Sequence, residues 1–146
     1  MKVFGIGLNK TGTISLHEAL ETLGFRSLHW GGPEVRVQVE RALAEGRPLV
    51  EDFPQYDAFS DIWALSEHFD VLDRQYPGSR FVLTTRDVDS WVESRRRHVE
   101  RNLARRAEGR YDGNFLTVDE PAWRAQFHEH HDRVAAHFAG RTDLLV

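Results

Sequence analysis

Cysteine is absent from this sequence, which excludes disulfides and thiolate metal sites and implies no oxidising compartment. Lysine is nearly absent too: of 19 basic residues, all but Lys2 and Lys10 are arginine. No apolar run approaches the ~20 residues of a membrane span, and the N-terminus lacks the charged-then-apolar layout of a signal peptide. A cytoplasmic protein with no membrane partner is the expectation. A basic surplus is also missing, since the net charge is −4, and this argues against nucleic acid as a partner. What remains is 146 residues, 40% hydrophobic and 29% charged, enough for one sizeable core.

Apolar patterning divides the chain into alternating strands and helices. "KVFGIG" reads as a buried strand, and Leu16, Ala19, Leu20 and Leu23 then recur at helical spacing. Ser15 with Glu18 has the form of a capping box, and Gly24 is a natural stop. "FRSLHW" follows as a second strand, and Pro33 opens a helix with Val35, Val39, Ala42 and Leu43 on one side. A short strand is expected near Ala58–Ser60, then a helix marked by Leu65, Phe69 and Leu72. "RFVLTT" is the clearest strand. A long helix on Val88, Trp91, Val92, Val99 and Leu103 comes next, with Asp87 or Asp89 near its start. After the loop "EGRYDGNF", Pro121 opens a last helix with Trp123, Phe127, Val134 and Phe138 inward, and "DLLV" begins a final strand. This alternation predicts an α/β fold of three layers, a parallel sheet flanked by helices. Ligands of such sheets bind beyond the carboxyl ends of the strands, where the loops from Gly7 and Arg86 both begin.

The stretch "GIGLNKTGTIS" at 5–15 has the ingredients of a phosphate-binding loop in an unusual order. A Walker A loop places its lysine after the last glycine, whereas Lys10 precedes Gly12 and hydroxyls flank that glycine. Glycines allow tight backbone turns, and the amides of residues 11–15 open a helix N-terminus, where the macrodipole favours an anion. Lys10 adds a full charge, and the hydroxyls of Thr11 and Thr13 are able to donate to phosphate oxygens. A plain strand-to-helix turn with a threonine cap is the alternative, but such a cap needs neither the lysine nor two flanking glycines. In "YPGSRFVLTTRDVDSWVES", Arg86 ends a strand and Ser94 follows about two helical turns later. An arginine fork with a hydroxyl suits a second phosphate, while a surface pair of Arg86 with Asp87 or Asp89 is the simpler alternative.

Together, "GLNKTGTISL" and "YPGSRFVLTTRDVDSWVES" resemble the P-loop-like, bacterial-type sulfotransferases that use 3′-phosphoadenosine 5′-phosphosulfate (PAPS). The resemblance places Lys10, Thr11, Gly12 and Thr13, with Ser15 beyond them, on the 5′-phosphosulfate loop. Arg86 and Ser94 fall on the pair that marks the 3′-phosphate. The stretches "LGF", "YDAFSD" and "HEHHDRV" extend the likeness over nearly the whole chain. It implies one sulfotransferase-like domain over 1–146, without the C-terminal continuation usual in relatives. The implied activity is sulfuryl transfer from PAPS, leaving PAP, to a hydroxyl or amine of a small-molecule or glycan acceptor. Lys10 neutralises charge on the bridging oxygen and no metal is required. Ile14 departs from the pattern, standing where the family usually has a second threonine. It either packs beneath the loop or faces a ligand that does not need the bond.

A base must take the acceptor's proton. Asp61 follows the "AFS" strand and is either that base or the N-cap of the helix through Leu65. His29 ends the second strand at the same sheet edge, and is either the base or a hydrogen-bonded strand-end histidine. "HEHHD" at 128–132 is not HExxH; His131 lies on the apolar stripe and reads as a core histidine rather than a metal ligand. "RRRHVERNLARR" reads as a solvated helix face that could also draw in an anion. Two other functions fit parts of the pattern. One is a non-catalytic PAP- or PAPS-binding protein; the other is a nucleotide kinase or NTPase, which the Lys-Thr-Gly order disfavours. Nothing in the sequence sets the oligomeric state.

Overall fold

The computed structural model describes residues 1–146 and falls into two compact units, Met1–Thr85 with Val134–Val146, and Arg86–Arg133. The first unit holds a five-stranded, wholly parallel sheet in the order β2-β3-β1-β4-β5. Its strands are β1 (Val3–Gly5), β2 (Ser27–His29), β3 (Ala58–Ser60), β4 (Arg80–Val82) and β5 (Leu144–Leu145). The helices between them are α1 (Thr13–Thr22), α2 (Gly32–Ala44), α3 (Trp63–Glu67) and α4 (Phe69–Gln75). This is the expected α/β architecture. After β1 the chain runs to the edge strand β2, returns to place β3 between them, and then crosses to β4 on the other side of β1, so the loop after β1 lies where the strand order reverses.

Strand alternation assigns the two sheet faces. Val3, Ala58 and the half-buried Val82 pack with Leu16, Leu20 and Phe25 on the α1 side. Phe4, Phe59 and Phe81, which are in register with one another, point to the opposite side. There they meet Val35 and Val39 of α2, Leu65 of α3, Phe69 and Leu72 of α4, and Val134 and Phe138. Phe4 lies 5.6 Å from Phe59 and 5.7 Å from Phe81. Truncating such a buried ring costs ~3–5 kcal/mol. Of the two lysines, Lys2 is structural: its ammonium donates to the Tyr56 carbonyl at 2.8 Å and lies over the Phe59 ring. Lys10 alone is left for the loop.

Several local expectations are corrected. The capping box does not form: α1 starts at Gly12, which has no side-chain cap, and Ser15 lies inside the helix. Of its apolar series Ala19 and Leu23 are exposed, because only Leu20 and Leu16 reach the sheet. The helix expected through Leu65 and Leu72 is broken at His68, whose carbonyl instead accepts from Val71 and Leu72 to start α4. Strand β4 is shorter than "RFVLTT", although Leu83 still donates to Leu145.

The second unit pairs α5 (Val88–Ala107) with most of α6 (Glu120–His137). Asp87 caps α5 by accepting from the Ser90 amide at 2.9 Å. Trp91, Val92, Val99, Trp123 and Phe127 are buried, but Leu103 is exposed, contrary to its place in the apolar series. The arginine run is not one solvated face either. Arg95 is buried with its guanidinium 4.8 Å from Trp91, 4.9 Å from Phe115 and 4.8 Å from Trp123, and burial pushes it down to about 10. In "HEHHD", His130 is the buried histidine. His131 is half-buried, within 2.7 Å of the Phe127 carbonyl and stacked on the Phe127 ring at 4.0 Å. The structure has no cluster of three or more histidine, cysteine or acidic residues suited to a metal ion.

Candidate active site

The loop after β1 is held against the end of β4. A Cβ at Gly7 would lie 2.1 Å from the Thr84 hydroxyl and 2.4 Å from its carbonyl, so only glycine permits this approach. The buried Thr11 hydroxyl donates to the Leu8 carbonyl at 2.5 Å and meets the Thr84 hydroxyl at 2.8 Å. Its proton is thus used inside the loop, and the residue offers a ligand its backbone amide rather than the donor side chain expected from sequence. Gly12 has a φ of 95° with open space where a Cβ would be. It is needed for its left-handed backbone and leaves the cradle above α1 clear. With no side chain capping α1, its first-turn amides have neither an intrahelical nor a capping acceptor. Ser15 is exposed one turn in, and Ile14 is exposed as well, which removes the explanation that it packs into the core.

Beside this loop, the ends of β2 and β3 bring His29, Asp61 and Thr13 together. His29 Nε2 lies 3.3 Å from Thr13 Oγ1 and 3.7 Å from Asp61 Oδ2, and Thr13 also hydrogen-bonds the Asp61 carboxylate. The two candidate bases are therefore parts of one cluster. Asp61 is not a helix cap: Ile62 holds that position at α3, without a side-chain bond. Sequence reasoning passed over His17. One helical turn after Thr13, it lies with its ring 5.5 Å from that of His29 and its Nδ1 2.9 Å from the Ser27 hydroxyl. The available signal was the i, i+4 spacing of Thr13 and His17 on α1. Ser60, at the end of β3, was passed over too.

Strain and electrostatics concentrate in the same place. Lys10, Trp30 and Asp61, with φ of 65°, 59° and 58°, are the three non-glycine residues in left-handed conformation. Each costs ~1–3 kcal/mol, which the surrounding structure must sustain. The Ser60 hydroxyl and Asp61 Oδ1 are buried without a hydrogen-bond partner. Burial pushes the Asp61 carboxyl up, opposed by His29, the Thr13 bond and Lys10. Burial also pushes the His29 imidazole down, opposed by Asp61 and assisted by the positive fields of His17 and Lys10. At neutral pH the imidazole is therefore uncharged and able to accept a proton.

In the second unit, Arg86 and Ser94 line one cleft of about 270 Å³ with Ser90, Glu93 and Arg97. Glu93 accepts from Arg97 Nε at 3.0 Å, which offsets its charge inside the cleft. Arg86 is exposed at the start of the unit and Ser94 is half-buried on α5.

Residues 2–145 match the model of the sulfotransferase domain family. This chain belongs to that family. The sulfotransferase domain is also 32% identical over 108 residues to "Ava biosynthesis cluster protein M" of Aspergillus versicolor. The match covers 64% of this chain and 41% of that protein, so the chain spans less than half the length of its relative. No helix of the sulfotransferase domain is long and apolar enough to cross a membrane.

Proposed function

We propose that this sulfotransferase domain takes a sulfuryl group from PAPS and delivers it to a hydroxyl of a small acceptor, with His29 as base and Asp61 as its orienting partner. The observation that carries the reading is the cluster of Thr13, His29 and Asp61 beside an uncapped helix N-terminus that also carries Lys10. The loop fits a phosphosulfate in two ways. Space above Gly12 is open, and the buried, partnerless oxygens of Ser60 and Asp61 are what an absent ligand or water would leave.

In this reading the amides of residues 11–15 and the Lys10 ammonium hold the 5′-phosphosulfate, and Arg86 with Ser94 hold the 3′-phosphate. Thr13 gives its hydroxyl proton to the Asp61 carboxylate and its oxygen accepts from His29 Nε2, which keeps the imidazole proton there and leaves Nδ1 as the accepting nitrogen. The acceptor oxygen bonds to sulfur as the bond between sulfur and the bridging phosphate oxygen breaks. Its proton passes to His29 Nδ1, and Lys10 balances the charge that develops on the departing phosphate. The chemistry needs no metal, and the cytoplasm is the compartment we propose.

Calorimetry with PAP, AMP and ATP tests this reading. PAP should bind at least tenfold more tightly than AMP, since a charge-assisted bond to the extra phosphate is worth ~1.5–3 kcal/mol. Preference for ATP with magnesium would instead indicate a kinase or NTPase. PAP binding without transfer to a broad acceptor panel would indicate a non-catalytic binding protein.

A further inference from the structure

Three large apolar side chains stand in solvent on the segments that carry the cluster. Ile14, which directly follows Thr13, is 61% exposed; Trp30, directly after His29, is 59% exposed; Trp63, two residues after Asp61, is 37% exposed. Folding explains none of the three. Ile14 occupies the first turn of an anion-binding loop, where a hydroxyl would cost nothing in stability. Trp30 is held in a left-handed conformation that disfavours a bulky residue, and its amide is pinned to the Ser60 carbonyl at 2.9 Å. An exposed indole kept in a strained backbone next to a candidate base calls for a ligand.

We infer that Ile14, Trp30 and Trp63 form the acceptor subsite, and that the acceptor is an uncharged aromatic hydroxy compound whose ring lies against this apolar rim. The inference rests on the sulfuryl-transfer reading above and adds the acceptor class to it. Indole faces favour flat rings, through offset or edge contacts worth ~0.5–1.5 kcal/mol beyond burial. Charge points the same way. The Asp61 carboxylate lies in the cluster, 3.7 Å from His29 Nε2, so an anionic acceptor would meet it as well as the donor's own negative charge. A base weakened by burial also matches a phenolic proton, which leaves near pH ~10, better than that of an alkyl alcohol. In the transfer, the phenolic oxygen gains the S–O bond, its proton goes to His29, and PAP departs with the electron pair of the broken S–O bond.

The test uses 2-naphthol, with glucose and a tyrosine-containing acidic peptide as comparators, on the full chain. 2-Naphthol should bind the PAP-loaded protein by calorimetry and be sulfated in preference to both comparators. Trp30→Asn removes the indole at a residue type that tolerates the left-handed backbone. It should raise the KM for 2-naphthol at least tenfold while leaving PAP affinity within twofold, and Trp30→Phe should restore most of the loss. If glucose or the peptide is sulfated and 2-naphthol neither binds nor reacts, the acceptor class is wrong while sulfuryl transfer stands. An unchanged KM in Trp30→Asn likewise overturns the subsite. Failure of PAP to bind at all would remove the underlying reading, and the subsite with it.

Discussion

Replacing Asp61 with asparagine should make the protein more stable and less active at the same time. The carboxylate costs stability for two reasons: its Oδ1 is buried without a partner, and burial penalises its charge. A buried unsatisfied polar group costs ~1–3 kcal/mol, and more when charged. Asparagine keeps an oxygen that accepts from Thr13, tolerates the φ of 58°, and removes the charge, but still leaves one amide group without a partner. The net gain is therefore set at the lower end, about 1 kcal/mol, or about 2–4 °C in melting temperature for a chain of this size. The pH dependence identifies the cause. The folded carboxyl titrates above its unfolded value of 3.8. Below pH 3.8 it is protonated in both states and carries no penalty; the penalty appears as pH rises through the folded value. The melting-temperature gap between Asp61→Asn and the parent should thus be widest at pH 7 and close toward pH 3.8. Turnover at pH 7 should fall by ~10²-fold, the low end of what a positioned base contributes, because the carboxylate charge that favours the protonated His29 imidazole is lost. Asp61 also raises the His29 pKa, so the acid limb of the rate profile should move to lower pH in the variant. Thermal melts across pH 3.5–7.5 with matched turnover assays read all three effects. A variant less stable at pH 7, or a gain that stays constant down to pH 3.8, would refute the buried-charge argument.

Lys10→Ala should lower turnover by ~10²–10³, as for loss of one preorganised transition-state donor, with an unchanged melting temperature. Near-normal turnover in the folded variant would remove Lys10 from the mechanism. Arg86→Ala should weaken PAP at least tenfold more than AMP; equal losses by calorimetry would mean that its fork does not hold a 3′-phosphate. Ile14→Thr should leave the melting temperature unchanged, since the side chain is exposed, and should raise the KM for 2-naphthol while PAP affinity stays within twofold. A gain of ~0.5–1.5 kcal/mol in PAP affinity, the net value of one hydrogen bond, would show instead that this position faces the donor and not the acceptor.

Much of the fold was legible because its signals are local. Hydrophobic runs at β1 and β3 and helical spacing in α2 and α5 depend only on nearby residues, so the α/β alternation could be read directly. The order of glycine, lysine and threonine around Gly12 was legible for the same reason, since a loop that exposes backbone amides is specified by adjacent residues. Local spacing failed where burial depends on which neighbour arrives. Leu23 and Leu103 sit at apolar positions that no partner covers, and Arg95 sits in a charged run that three aromatic rings enclose. The candidate site itself could not be assembled from the sequence. His29 and Asp61 read as alternatives because 32 positions separate them, and only the pairing of β2 with β3 sets one 3.7 Å from the other. The same strand ends, together with α1, bring Thr13 and His17 to His29, and they hold Lys10, Trp30 and Asp61 in a strained backbone. Sequence determined which groups were available for chemistry; parallel pairing and burial decided which of them meet, and in which protonation state.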